Sequence, residues 1–197
     1  MDVTVGLDEI ARYMRMGRSV PEGALAERMT QLRDEALAVV RPARIGRRFA
    51  LVDGAIVSGD VRLEIAGTLA RHIDGCSDVY LVCGTIGAGI DALQRRASVS
   101  SGADALIVQA IGAALVEKLM DAVEDEIRAE LSAEEELVAR YSPGYGDFPL
   151  AAQRHILLLL DATRRIGVSL TDTLLMVPSK SVSAILGVRA KNRGRKD

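Results

Sequence analysis

The stretch "RYSPGYGDFPLAAQRHILLLLDATRRIGVSLTDTLLMVPSKSVSAILG", residues 140–187, decides how this chain reads. It opens on a turn: Pro143 presets φ, and Gly144 tolerates the conformations that reverse a chain. A surface turn has no need of Arg140 and Tyr145 on either side of that dipeptide, so the arrangement asks for a purpose. Pro149 then suits the start of a helix, with Asp147 near its N-terminus as a cap. Residues 150–167 are amphipathic at helical spacing and close with Arg164 and Arg165 ahead of Gly167, a common helix stop. His155 lies in this helix with no partner visible in the sequence and reads as a core or surface histidine. "SLTDTLLMVPSKSVSAILGV", 169–188, gives a strand, a polar turn over 178–181 and a second strand, which predicts a hairpin with hydroxyl side chains at its bend.

Upstream of the turn, residues 102–131 form one long helical pattern. Its first half, "ADALIVQAIGAALV", is apolar almost all round and predicts burial on most sides. The apolar positions then thin to Leu119, Ala122, Val123, Ile127 and Leu131, and Glu117 falls where the buried half ends. "DVYLVCGT", 78–85, is almost wholly apolar and predicts a central strand. Residues 7–17 and 21–40 read as two helices broken near Pro21, "RRFALVDGAIV" (47–57) as two short strands around a glycine turn, and "GTLARHIDGC" (67–76) as a short helix ending near Gly75. Helices and strands mix without a regular βαβ alternation, which predicts an α+β fold with long helices packed on a mainly antiparallel sheet. By chain order, 1–45 reads as an N-terminal helical segment, 46–188 as the α+β core and 189–197 as a basic, solvated tail.

Composition narrows the function classes. A chain of 197 residues that is 49% hydrophobic supports one sizeable core or a body with a small lobe. No apolar run is long enough to span a bilayer, and "MDVTVGLDEI" lacks the basic start and apolar stretch of a signal peptide, so a cytoplasmic protein is expected. Cys76 and Cys83 have neither the number nor the spacing of a metal site or redox pair and read as reduced thiols. A net charge of −2 gives no global pull toward nucleic acid or membrane. The charge is uneven, however: 117–136 is strongly acidic, and "RAKNRGRKD" is basic without aromatics to stack on bases.

The chemistry of the turn is more specific. A guanidinium binds a carboxylate through two parallel hydrogen bonds, and a flat ring can approach a residue without a Cβ. Tyr145 adds a ring face and a hydroxyl, and nearby acidic groups attract a cation. Together these suit a zwitterion with a carboxylate, an aromatic ring and a positive centre. S-adenosylmethionine (AdoMet) has that description, as do other amino-acid nucleotides; a purely structural turn fits as well. The glycines at 84, 87 and 89 match neither the dinucleotide fingerprint nor a P-loop, and a tight strand-to-helix connection accounts for them.

Residues 140–187 resemble the activation domain of cobalamin-dependent methionine synthase. That family carries an Arg-x-x-Pro-Gly-Tyr turn, here Arg140, Pro143, Gly144 and Tyr145. An amphipathic helix follows, then a Gly-x-x-Leu-Thr-(Asp/Glu)-(Ser/Thr) entry to a strand, here Gly167, Leu170, Thr171, Asp172 and Thr173. Last comes a Pro-x-x-Ser-Val-Ser segment, here Pro178, Ser181, Val182 and Ser183. The segments "RHIDGC" and "CGTIG" and the long helix are similar to stand-alone relatives of that domain. The resemblance implies AdoMet binding at Arg140, Ser142, Pro143, Gly144 and Tyr145, with Glu117 and Glu134 lining the cleft. Glu135 and Glu136 stand beside Glu134 as alternatives. The family's N-terminal aspartate has no assignable counterpart here, and no tyrosine follows the Ser-Val-Ser segment. The chain also lacks the Asp-x-His-x-x-Gly cobalamin-ligand motif, so the resemblance places the cobalamin on a partner, a separate core methionine synthase or other corrinoid methyltransferase. The implied role is reactivation: reductive methylation of the partner's cob(II)alamin, with an electron donor of the flavodoxin or ferredoxin kind and no catalytic side chain on this subunit. The alternative is a docking module on a corrinoid protein that does not use AdoMet.

Overall fold

A computed structural model of the chain describes residues 4–17 and 21–191. These fall into two units that interleave along the chain. Of the described residues, one unit takes those up to 43, 84–122 and 175–182, and the other 44–83, 123–174 and 183–191.

The first unit is helical. It holds α1 (Leu7–Tyr13), α2 (Gly23–Val39), α4 (Gly89–Ser100) and the first two thirds of α5 (Gly102–Glu130). Ile107, Ile111, Leu115 and Leu119 of α5 recur at i, i+4 spacing and, with Val108, are buried with Met29, Leu32 and Ala36 of α2 and Ile90 and Leu93 of α4. The glycine run before α4 is a packing device. A Cβ at Gly89 would strike the Val39 carbonyl, and one at Gly87, which has φ +84°, would sit 3.1 Å from the Arg41 carbonyl. Asp91, in the first turn of α4, accepts bonds from the amide (3.0 Å) and hydroxyl (2.5 Å) of Ser179 and so ties down the polar turn before Ser181.

The second unit holds most of a four-stranded sheet in the order β1 (Ala43–Ala50), β4 (Asp78–Thr85), β8 (Ser181–Ala190), β5 (Glu135–Leu137). All neighbours are antiparallel. Arg41 donates to Ile86 while Leu51 donates to Ser77, Ile86 donates to Lys180 while Ser77 donates to Val188, and β5 pairs Glu135 with Ala190 and Leu137 with Val188. The α+β class with an antiparallel sheet is as expected, and β4 is central, as its unbroken apolar run predicts. The glycine turn at Asp53–Gly54 is present, but β2 (Ala55–Ser58) pairs with β3 (Val61–Glu64) rather than with β1. The expected hairpin across 178–181 does not form. β6 (Ser169–Leu170) and β7 (Met176–Val177) lie outside the four-stranded sheet, and β8 enters it between β4 and β5. β8 runs through Arg189 and Ala190, and residues 192–197 of the expected tail lie outside the described residues.

The acidic stretch is largely matched by arginines. Arg44 grips Glu126 through two bonds (2.8 and 2.5 Å), Arg48 holds Glu135 (2.6 Å) and Arg189 holds Glu136 (2.6 Å). The Arg48 guanidinium, aided by Ser132, holds the Glu135 carboxyl down at about 2. The stretch is therefore a set of cross-strand and strand-to-helix ion pairs rather than an unshielded anionic face. Among the described residues, no helix is long and apolar enough to cross a membrane.

Candidate functional site

The turn at 140–149 is anchored at three points. Tyr141 exchanges two backbone bonds with Ile185 of β8 (2.8 and 2.9 Å), which aligns the chain with the sheet just before it turns. The Tyr141 ring packs against His72, Tyr145 and Phe148, with centroids 5.0, 6.3 and 6.3 Å away. Its hydroxyl donates to Thr68 Oγ1 at 2.9 Å. His72 Nε2, at the end of α3 (Gly67–His72), lies 2.7 Å from the Ala139 carbonyl, the residue before Arg140.

The third anchor is Asp147. Its carboxylate accepts the Thr68 amide (2.8 Å) and the Thr68 hydroxyl, and these bonds hold the carboxyl below its ordinary value. Asp147 thus caps α3, not the helix that follows it in sequence. That helix starts as a single 3₁₀ turn, Leu150–Ala152, and continues as α6 (Gln153–Leu160) without a side-chain cap. Space around this anchor is tight: a Cβ at Gly146, which has φ +53°, would lie 2.5 Å from Thr68 Oγ1 and 2.7 Å from the Tyr141 hydroxyl.

Gly144 differs. Its φ is +95°, yet a Cβ there would meet only Leu150 Cδ1, at 3.5 Å. Its amide donates to the Phe148 carbonyl (2.9 Å), and the Tyr145 amide faces the Ser142 carbonyl (3.3 Å). The turn therefore closes on its own amides, and what it offers a ligand at Gly144 is an open Cα face. Tyr145 is 68% exposed beside it, and Pro143 is buried.

The Arg140 side chain is 21% exposed, and its Nη1 donates to Glu124 Oε1 at 2.7 Å. The other oxygen of Glu124 takes Arg128 Nη2 at 2.6 Å. Glu124, on α5 and buried, was not picked out from the sequence. Its signal is there: it occupies the apolar stripe of Met120, Val123 and Ile127, where a carboxylate must be partnered. Thr68, Tyr141 and Asp147 were also missed in these roles, because their partners lie far away along the chain. Of the expected residues, Arg140, Ser142, Pro143, Gly144 and Tyr145 are together in the turn. Glu134 is exposed just ahead of β5 in the same unit, and Glu117 is half-buried on α5 in the other. His155 lines a cavity of about 420 Å³ with Leu63, Ala66, Phe148 and Ala152. Among the described residues, no group of acidic, histidine or cysteine side chains has the arrangement to hold a metal ion.

This architecture is that of a reactivation domain. A crystal structure of the MetH reactivation domain bound to AdoHcy matches with a TM-score of 0.61 at 16% identity, over 92% of this chain and 73% of that one. The family model of the vitamin B12 dependent methionine synthase activation domain matches residues 69–193, and the chain belongs to that family. Thr68 lies one residue ahead of the matched region. No curated protein matches the chain.

Proposed function

We propose that this protein binds AdoMet at the 140–145 turn and serves as the reactivation subunit of a corrinoid methionine synthase or methyltransferase carried on a separate chain. The observation that carries the reading is the pairing of a guanidinium at Arg140 with an open glycine face at Gly144. Arg140 takes the carboxylate, the Cα face of Gly144 and the ring of Tyr145 receive the flat part of the ligand, and the main chain of Ser142 and Pro143 sets its edge. Glu134, in the same unit as the turn, is the carboxylate assigned to the positive centre. AdoMet supplies a sulfonium methyl group; with one electron from a donor of the flavodoxin or ferredoxin kind, cob(II)alamin on the partner becomes methylcobalamin and AdoHcy leaves. The sulfonium is already a good leaving group, so this chain's work is positioning, and no general base is assigned.

Titration calorimetry tests the binding half. Arg140→Ala should weaken AdoMet binding by on the order of 1.5–3 kcal/mol, the worth of a hydrogen bond to a charged group. For the reaction half, the chain is mixed with a core methionine synthase held as cob(II)alamin, AdoMet and a one-electron reductant. The visible spectrum should shift to that of methylcobalamin, more slowly with Arg140→Ala. Equal AdoMet affinity for wild type and variant removes Arg140 from the site. No spectral shift at saturating AdoMet leaves a docking module that does not use AdoMet.

A further inference from the structure

The two arms of the turn meet on one oxygen of a residue that lies outside it. Thr68 Oγ1 accepts the Tyr141 hydroxyl at 2.9 Å and the Asp147 amide at 3.3 Å, and it donates to Asp147 Oδ1. The Thr68 amide reaches the same carboxylate oxygen at 2.8 Å. A hydroxyl has one proton and two lone pairs, so the full capacity of this one is taken. Tyr141 precedes the Pro143–Gly144 dipeptide and Asp147 follows it, and Gly144 is three residues from each. A single atom of α3 therefore sets the distance between the arms, with Gly144 at the midpoint of the span. There is little slack around that atom. A Cβ at Gly146 would lie 2.5 Å from it, and the far end of α3 holds the entry to the turn, where His72 Nε2 lies 2.7 Å from the Ala139 carbonyl.

We infer that Thr68 is a positioning residue for the ligand face of the turn. Its hydroxyl keeps the arms at the separation in which Gly144 and Tyr145 receive the ligand, so binding does not have to order them first. The inference rests on the assignment of AdoMet to this turn. It does not depend on which side chain takes the ligand's carboxylate.

The test uses the full chain, with AdoHcy calorimetry on samples that circular dichroism shows to be fully folded, and urea midpoints measured alongside. Thr68→Val keeps the shape of the side chain and removes the hydroxyl, whereas Thr68→Ser keeps the hydroxyl. Thr68→Val should weaken AdoHcy about tenfold, and Thr68→Ser should stay within about twofold of wild type. Tyr141→Phe, which removes one of the hydroxyl's three bonds, should fall between them and cost nothing further when added to Thr68→Val. If Thr68→Val does not fold, Tyr141→Phe against wild type carries the comparison, with a loss of about threefold expected. A folded Thr68→Val with a lower urea midpoint but wild-type AdoHcy affinity makes Thr68 a scaffold residue only. Thr68→Ser as weak as Thr68→Val overturns the role of the hydroxyl. Either result, with Gly144→Val still weakening AdoHcy, sinks this inference alone. If wild type does not bind AdoHcy, or Gly144→Val leaves binding unchanged, the ligand is not at this turn and the inference falls with that reading.

Discussion

Replacing Gly146 with alanine separates the scaffold of the turn from its ligand face. At φ +53° an L-residue pays a backbone penalty of about 1–2 kcal/mol. The new methyl would also lie 2.5 Å from Thr68 Oγ1 and 2.7 Å from the Tyr141 hydroxyl, which forces apart the bond between them. Losing that neutral hydrogen bond adds about 1 kcal/mol, so the total is about 2–3 kcal/mol. For a chain of this size that corresponds to a fall in melting temperature of about 4–12 °C. Gly144→Ala is the control. It carries the backbone penalty but no clash, and costs about 1–2 kcal/mol. Urea unfolding followed by far-ultraviolet circular dichroism gives both midpoints, and calorimetry with AdoHcy gives both affinities. Gly146→Ala should be the less stable variant. Gly144→Ala, whose methyl enters the open face, should lose more affinity than stability. A Gly146→Ala variant as stable as Gly144→Ala would refute the view that the turn is braced through Thr68 and Tyr141.

Other outcomes follow from the same contacts. Glu135 has a folded-state pKa of about 2, below its unfolded value, so its stabilisation is present above pH ~4.5 and is lost as pH falls through about 2; Glu135→Gln should flatten the acid limb of a stability–pH curve. Burial pushes the Cys83 thiol up to about 12, so a thiol reagent at neutral pH should label the half-buried Cys76 first and reach Cys83 only on unfolding. Gly187→Ala in β8 would bring a methyl within 2.5 Å of Cys76 Sγ and 3.1 Å of Ile73; a cost of about 1–3 kcal/mol by denaturant titration is expected, partly recovered by Cys76→Ala. Asp147→Ala should loosen α3, seen as faster hydrogen exchange at the Thr68 amide.

What could be read from the sequence was local. The central strand 78–85 and the helix 102–130 declare themselves through unbroken apolar runs and helical spacing, and both are present. The Pro143–Gly144 turn and the αL glycine at 75 follow from backbone chemistry alone. Pairing was less legible. The apolar content of 181–188 marks a strand but does not say that its neighbours are β4 and β5 rather than the segment just before it. β3 is four residues with a single buried side chain, Leu63, too short for a period to show. Asp147 was recognisable as a cap, yet the amide it caps, that of Thr68, lies 79 residues earlier in the chain. Arg140 could be singled out by its company in the turn, whereas the carboxylate that faces it could be found only by asking why a glutamate stands in the buried stripe of α5.

The braces of the turn join residues 67 to 79 positions apart: His72 to Ala139, Thr68 to Tyr141 and Thr68 to Asp147. Closing loops of that length costs chain entropy that only long-range contacts return, so the turn cannot assemble from its own sequence. Its shape depends on α3 and β8 being in place. A ligand that recognises this shape binds the native chain and not the unfolded one, and raises stability by mass action as its concentration exceeds its dissociation constant. Ligand supply would then set not only the occupancy of the turn but also how long the chain survives proteolysis in the cell.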